Sequence, residues 1–184
     1  GFLSYYQGKV YIPNKELMDQ FDEMLRKETS LGYVYNLAKE SEKMLQAVWR
    51  GDVSVMEQIL SFAHNTETPI LAYNNETELS AIVNLVFLSA RDFYRVERED
   101  KAGIGFVDFI FYPQQQGLPG IILELKVDHT PEEAIKQIKE KQYALKFQGK
   151  LGENFKTPEK ILAVGIGYNK KDKKHYCKVE CLEN

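Results

Sequence analysis

Cysteine is nearly absent from this 184-residue chain: Cys177 and Cys181, four residues apart near the C-terminus, are the only two. Two thiols cannot complete a four-ligand zinc site, and the three histidines (His64, His129, His175) are scattered. The cysteines therefore read as reduced thiols of a cytoplasmic protein. No apolar run approaches the length needed to span a bilayer, and no signal-peptide pattern is visible, so no membrane role is expected. A basic excess is missing too. The formal net charge is −3, so contact with nucleic acid would need a local basic surface. The chain also has no initiator methionine, and its apolar, aromatic opening Gly1-Phe2-Leu3-Ser4-Tyr5-Tyr6 reads as the middle of a larger protein.

What remains is an ordinary globular balance, 43% hydrophobic and 28% charged, in a length that suits one or two small units sharing a core. Phe2–Tyr6 and Val10–Ile12 predict a hairpin about Gly8-Lys9. Leu17, Phe21, Met24 and Leu25 predict a helix over 15–29; a second helix includes 40–50 and is stopped by Gly51. Asp52 is the expected cap of a third, with Val55, Met56, Ile59, Leu60 and Ala63 on one face. After Pro69 the pattern becomes helix (75–90), three strands (93–98, 105–112, 120–127), helix (131–147) and two strands (161–168, 175–181). That order predicts an α/β (α+β) sandwich with a mixed sheet, preceded by a small helical unit. The expected division is 1–68 and 69–184.

Chemistry concentrates on two of the strands. In Ile121-Ile122-Leu123-Glu124-Leu125-Lys126-Val127, alternation sends Glu124 and Lys126 to one face and the leucines to the other. Alone, this is no more than a strand with one polar face or a simple ion pair. Upstream, Asp108 stands inside the aromatic-aliphatic run Gly105–Tyr112, where an uncompensated charge is expensive. The connection Pro113–Pro119 is short enough for a hairpin-like return, so Asp108 and Glu124 can lie side by side. Two carboxylates suit Mg²⁺, which takes one or two protein carboxylates and keeps several waters; the backbone carbonyl of Leu125 is a further candidate ligand. A lysine beside the ion can orient or deprotonate an attacking water, or stabilise charge in phosphodiester hydrolysis.

Asp108 followed by Glu124-x-Lys126 resembles the PD-(D/E)XK nuclease superfamily. The run Ile122–Val127, then Pro131-Glu132-Glu133-Ala134-Ile135-Lys136-Gln137-Ile138 and Lys141-Gln142-Tyr143-Ala144, resembles the nuclease domain of bacterial AAA-ATPase-like proteins. Ile12–Glu16 and Trp49–Asp52 resemble the segment that joins ATPase to nuclease there. The resemblance implies a restriction-endonuclease-like fold, Mg²⁺ or Mn²⁺ as cofactor, nucleic acid (DNA foremost) as substrate, and an ATPase region of the same polypeptide before Gly1. It also implies a helical acid, either Glu76 or Glu78, and a glutamine near the site, Gln137. Phe106 departs from the pattern, since relatives often carry a basic or small polar residue shortly before the aspartate.

The helix expected after the strand has its own signals: Thr130 as N-cap, Pro131 in the first turn, Glu133 completing a capping box, and Ala134, Ile138 and Leu145 on a buried stripe. Gln137 and Lys141 share a face beside that stripe; Lys141 reads as solvated, while Gln137 reads equally as surface or site. Asp128-His129 reads as a structural loop pair, since no nucleophile motif accompanies it. Gly165 and Gly167 mark close packing, and Lys170-Lys171-Asp172-Lys173-Lys174 is a charged turn that could touch a phosphate backbone. Three readings follow: a metal-dependent nuclease, a catalytically inactive nuclease-fold module binding nucleic acid or a partner, and a purely structural domain. Oligomerisation is compatible with all three.

Overall fold

The computed structural model describes residues 4–6, 9–11, 29–67, 75–102, 105–147 and 158–182. The helix expected over 15–29 lies, but for Thr29, outside them. Packing divides the chain into two compact units, Gly1–Lys39 and Glu40–Asn184. In the first, β1 (Ser4–Tyr6) and β2 (Lys9–Tyr11) pair antiparallel, with Tyr5 opposite Val10.

The second unit takes in the later part of α1 (Thr29–Arg50), where Met44, Leu45, Ala47 and Val48 are buried. Gly51, at φ 71°, ends this helix in a Schellman arrangement: its N–H donates to the Val48 carbonyl and the Asp52 N–H to that of Ala47. Asp52 then caps α2 (Val53–Glu67) by accepting from the Val55 N–H at 3.3 Å. Trp49 is a packing residue: its indole N–H donates to the Tyr94 hydroxyl at 2.8 Å.

Five strands follow in the order β3-β4-β5-β6-β7: β3 (Tyr94–Ala102), β4 (Gly105–Pro113), β5 (Gly120–Val127), β6 (Ile161–Asn169) and β7 (Lys174–Leu182). Only β5 and β6 run parallel; the other three pairings are antiparallel, so the sheet is mixed as expected. The parallel link passes through α4 (Pro131–Glu140), as a crossover must. α4 covers the face that carries Ile110, Tyr112 and Ile122, burying Ile135 and Ile138 there. α3 (Glu76–Val86) and the 3-10 turn Leu88–Asp92 lie on the opposite face, where the ring of Phe87 meets that of Phe111. On that face too, α2 packs on the last two strands, stacking His64 on Tyr168 and accepting from the Cys177 N–H at Glu57. The core is thus a sheet sandwiched between helices. Among the described residues, no helix is long and apolar enough to cross a membrane.

The helix after β5 stops at Glu140 instead of running to 147, and Leu145 is 48% exposed rather than buried. Gln142 takes a positive φ of 53°, which resets the helical phase. The 3-10 turn Tyr143–Phe147 then buries Tyr143 and Phe147 in its place, the Phe147 ring lying 5.1 Å from that of Tyr112.

Gly165 and Gly167 explain how α4 comes so close to β6. A Cβ on Gly165 would sit 2.3 Å from the Pro131 carbonyl oxygen, and one on Gly167 would sit 2.9 Å from that of His129. Gly165 is the register partner of Glu124, so this absence of side chains lets the start of α4 press onto β6 beside the strand that carries the carboxylate.

Candidate functional site

The ladder between β4 and β5 covers only Phe109↔Leu123, Ile110↔Ile122 and Phe111↔Ile121. The next pair in register would be Asp108 and Glu124, and there the backbone pairing has already stopped. The Leu125 N–H, which lacks a β4 carbonyl at that point, donates instead to Asp108 Oδ2 at 2.8 Å. A carboxylate thus substitutes for a rung of the ladder, and the strands part at the place where Asp108 and Glu124 emerge. The alternation that puts Glu124 on the same face as Ile122 directs it toward α4.

Glu124 is 3% exposed. Its Oε1 accepts from the Gln137 side-chain amide and lies 3.5 Å from Lys126 Nζ, whereas its Oε2 is buried with no hydrogen-bond partner among the described residues. Burial, reinforced by the neighbouring Asp108 carboxylate and opposed by Lys126, pushes the Glu124 pKa up to about 8. A buried oxygen without a donor is costly in either protonation state. Gln137 comes from the middle of α4, and its side chain also reaches Tyr143, whose phenol is raised by burial and by the Glu124 and Asp108 carboxylates. The amide therefore ties the 3-10 turn to the carboxylate.

Lys126 continues along the same face, its side chain only 15% exposed. Its Nζ is 3.6 Å from Glu76 Oε1, contributed by the first residue of α3. The geometry thus gathers Glu76, Asp108, Glu124, Lys126 and Gln137, from two strands and two helices, at one end of the sheet. Leu125 takes part through its N–H. The side chain of Glu78 is not among those described, and Lys141 lies just past the end of α4. His129 pairs with Glu133 at 2.8 Å on the surface and stays outside this group, in keeping with a structural loop pair.

Beside Asp108 a cleft of about 240 Å³ opens, lined by Glu76, Thr77, Ser80, Arg98 and Asp108. Thr77, Ser80 and Arg98 carry no motif, and their place here could not be read from spacing. Arg98 belongs to β3, two strands away from Glu124, so only the strand order brings it near. Among the described residues, no three His, Cys, Asp or Glu side chains cluster so as to hold a metal ion by themselves; Asp108 and Glu124 are a two-carboxylate set.

The lysine-rich turn lies at the same end. Because β6 runs parallel to β5, its exit at Asn169 follows the direction of Lys126 and Val127. Lys170 is held by Asp128, whose carboxylate accepts from the Lys170 N–H at 2.9 Å and pairs with its Nζ at 2.8 Å.

A search of curated proteins finds no match. A family model described as the PD-(D/E)XK nuclease superfamily matches residues 74–176, a stretch from just before α3 into β7 that contains every side chain named at the site. With more than half of its length matched, and a five-stranded mixed sheet between helices, the chain belongs to the PD-(D/E)XK nuclease superfamily.

Proposed function

We propose that this chain is the nuclease part of a metal-dependent phosphodiester hydrolase acting on nucleic acid, DNA foremost. The observation that carries the reading is Glu124: a buried carboxylate whose pKa is pushed up to about 8, with one oxygen unpartnered among the described residues and Asp108 beside it. A protein gains nothing in stability from such a group, but a divalent cation removes the cost of both carboxylates together. Asp108, Glu124 and the Leu125 carbonyl would hold Mg²⁺ or Mn²⁺. Bound there, the cation would polarise the phosphodiester and neutralise charge that develops on it.

The chain's own residues divide the remaining work. Gln137 fixes the rotamer of Glu124 by donating to Oε1, so that Oε2 stays open. Lys126, held between Glu124 and Glu76, presents an ammonium at the reacting phosphate, to orient the attacking water or to stabilise negative charge in the transition state. Glu76 orients Lys126. The basic turn Lys170–Lys174, about 10 Å beyond Lys126 by strand rise, supplies a local positive surface that the overall charge of −3 does not.

Residues 69–184 would form the nuclease domain. Residues 1–68 would join it to an ATPase region of the same polypeptide, in the cytoplasm. The test is cleavage of plasmid and single-stranded DNA with Mg²⁺ by the wild type and by Glu124→Gln, which keeps the side-chain volume. The variant should lose about 10²-fold or more in rate. Equal rates in both proteins, or no cleavage by either, would sink the reading.

A second reading is a module that binds nucleic acid or a partner without cutting it. It draws on Lys126 being engaged by two carboxylates at once, at 3.5 and 3.6 Å. Salt-sensitive binding with no turnover at any Mg²⁺ or Mn²⁺ concentration would favour it.

A further inference from the structure

Arg98 is an unexpected tenant of the cleft. It stands on β3 opposite Phe109, the residue next to Asp108, and its guanidinium lies over the Phe109 ring with Cζ 5.3 Å from the centroid. Its Nη2 donates to Ser80 Oγ at 3.1 Å. Ser80 is itself buried, and its hydroxyl proton is committed to the Thr77 carbonyl at 2.7 Å, so its lone pairs face the arginine. The guanidinium is therefore fixed by an aromatic face and one oriented acceptor.

Two carboxylates, Glu76 and Asp108, line the same cleft, yet among the described residues Arg98 forms an ion pair with neither. Glu76 is turned to Lys126, and Asp108 to the Leu125 N–H. An arginine that neutralised these acids would contact one of them. This one is held by Ser80 and the Phe109 ring, and among the described residues most of its five N–H donors make no other hydrogen bond. A planar donor fork held at the mouth of a cleft matches a phosphate, which it can grip through two parallel hydrogen bonds.

We propose that Arg98 binds a phosphate of the nucleic-acid strand in the Glu76–Ser80–Asp108 cleft, next to the phosphodiester that is cut, and that Ser80 positions it. The proposal rests on the nuclease-type reading for its substrate class.

The experiment uses the whole chain with a fluorescent oligonucleotide. Binding is measured in Ca²⁺ across a salt series, and kcat and KM are measured in Mg²⁺. Arg98→Ala should raise Kd and KM about tenfold or more, change kcat less than threefold, and make the log–log salt slope shallower by about one phosphate contact. Arg98→Lys should restore the slope without restoring all of the affinity, because a point charge replaces the fork. Ser80→Ala keeps the charge and frees the side chain, so KM should rise with the slope unchanged. Thermal melting of each variant reports whether the lost Phe109 and Ser80 contacts have harmed the fold. A folded Arg98→Ala with unaltered Kd and slope overturns the proposal while leaving the nuclease reading intact. A wild type that binds with an Arg98-dependent slope but never cuts overturns hydrolysis and supports the phosphate contact. A wild type that neither binds nor cuts overturns both.

Discussion

Replacing Glu124 by glutamine should make the metal-free protein more stable, and increasingly so as the pH rises. In the unfolded chain the carboxyl ionises near 4.5; in the fold it holds its proton to about 8. Between those values the unfolded state has released a proton that the folded state retains, so stability falls with rising pH and levels off above about 8. At about 1.4 kcal/mol per pH unit, the interval from 4.5 to about 8 amounts to about 5 kcal/mol. His175 works in the opposite sense. Burial lowers its pKa from 6.5 to about 3, so its contribution is present above 6.5 and is lost as the pH falls toward 3. From pH 4.5 to 6.5 the two slopes oppose each other, and the wild-type profile alone is uninformative there. The difference between variant and wild type removes the His175 part, which both proteins share. Glutamine keeps the Oε1 acceptor that Gln137 needs and has no proton to release. Urea unfolding in EDTA at pH 5, 6, 7 and 8 should therefore give a difference that starts small and widens by about 1.4 kcal/mol per unit. A constant difference, or one that narrows, would refute the claim that burial of Glu124 is held against its charge.

Three other perturbations test the surroundings. Gly165→Ala would drive a Cβ to 2.3 Å from the Pro131 carbonyl oxygen, which is backbone and cannot swing aside; thermal denaturation should show a loss of about 1–3 kcal/mol, and an unchanged Tm would contradict the close approach. Gln137→Leu removes the donor to Glu124 Oε1; the Mg²⁺ concentration for half-maximal cleavage should rise about 10–100-fold, and an unshifted Mg²⁺ titration would remove Gln137 from the site. Replacing Lys171, Lys173 and Lys174 together by alanine should weaken DNA binding and flatten its salt dependence by about one to three phosphate contacts with kcat preserved, so an unaltered slope would free the turn from any such role.

The reasons some features were legible and others were not are physical. Asp108, Glu124 and Lys126 could be found because strand alternation and the cost of burying charge are local rules: a carboxylate in an aromatic run, and Glu-x-Lys in an aliphatic one, conflict with their surroundings wherever the strands end up. The Gly51-Asp52 stop and start, the Thr130-Pro131 cap and the close-packing glycines at 165 and 167 likewise express backbone preferences carried by single residues. The end of α4 was not legible, because the apolar spacing continues smoothly through Leu145 while the turn at Gln142 answers to the docking of Tyr143 and Phe147.

The chain's own pattern of residues determined the order of elements, the mixed sheet and the two strands that bear the acids. Tertiary structure alone decided that the β4–β5 ladder stops one pair short of Asp108 and Glu124, that Glu124 Oε2 has no donor among the described residues, and that Glu76 and Gln137 arrive from opposite faces of the sheet. It also decided that Arg98, ten residues before Asp108 and on another strand, shares its cleft. Such relations depend on register and on helix placement across tens of residues, and the energies that set them are sums over the whole core, which no short stretch of sequence contains.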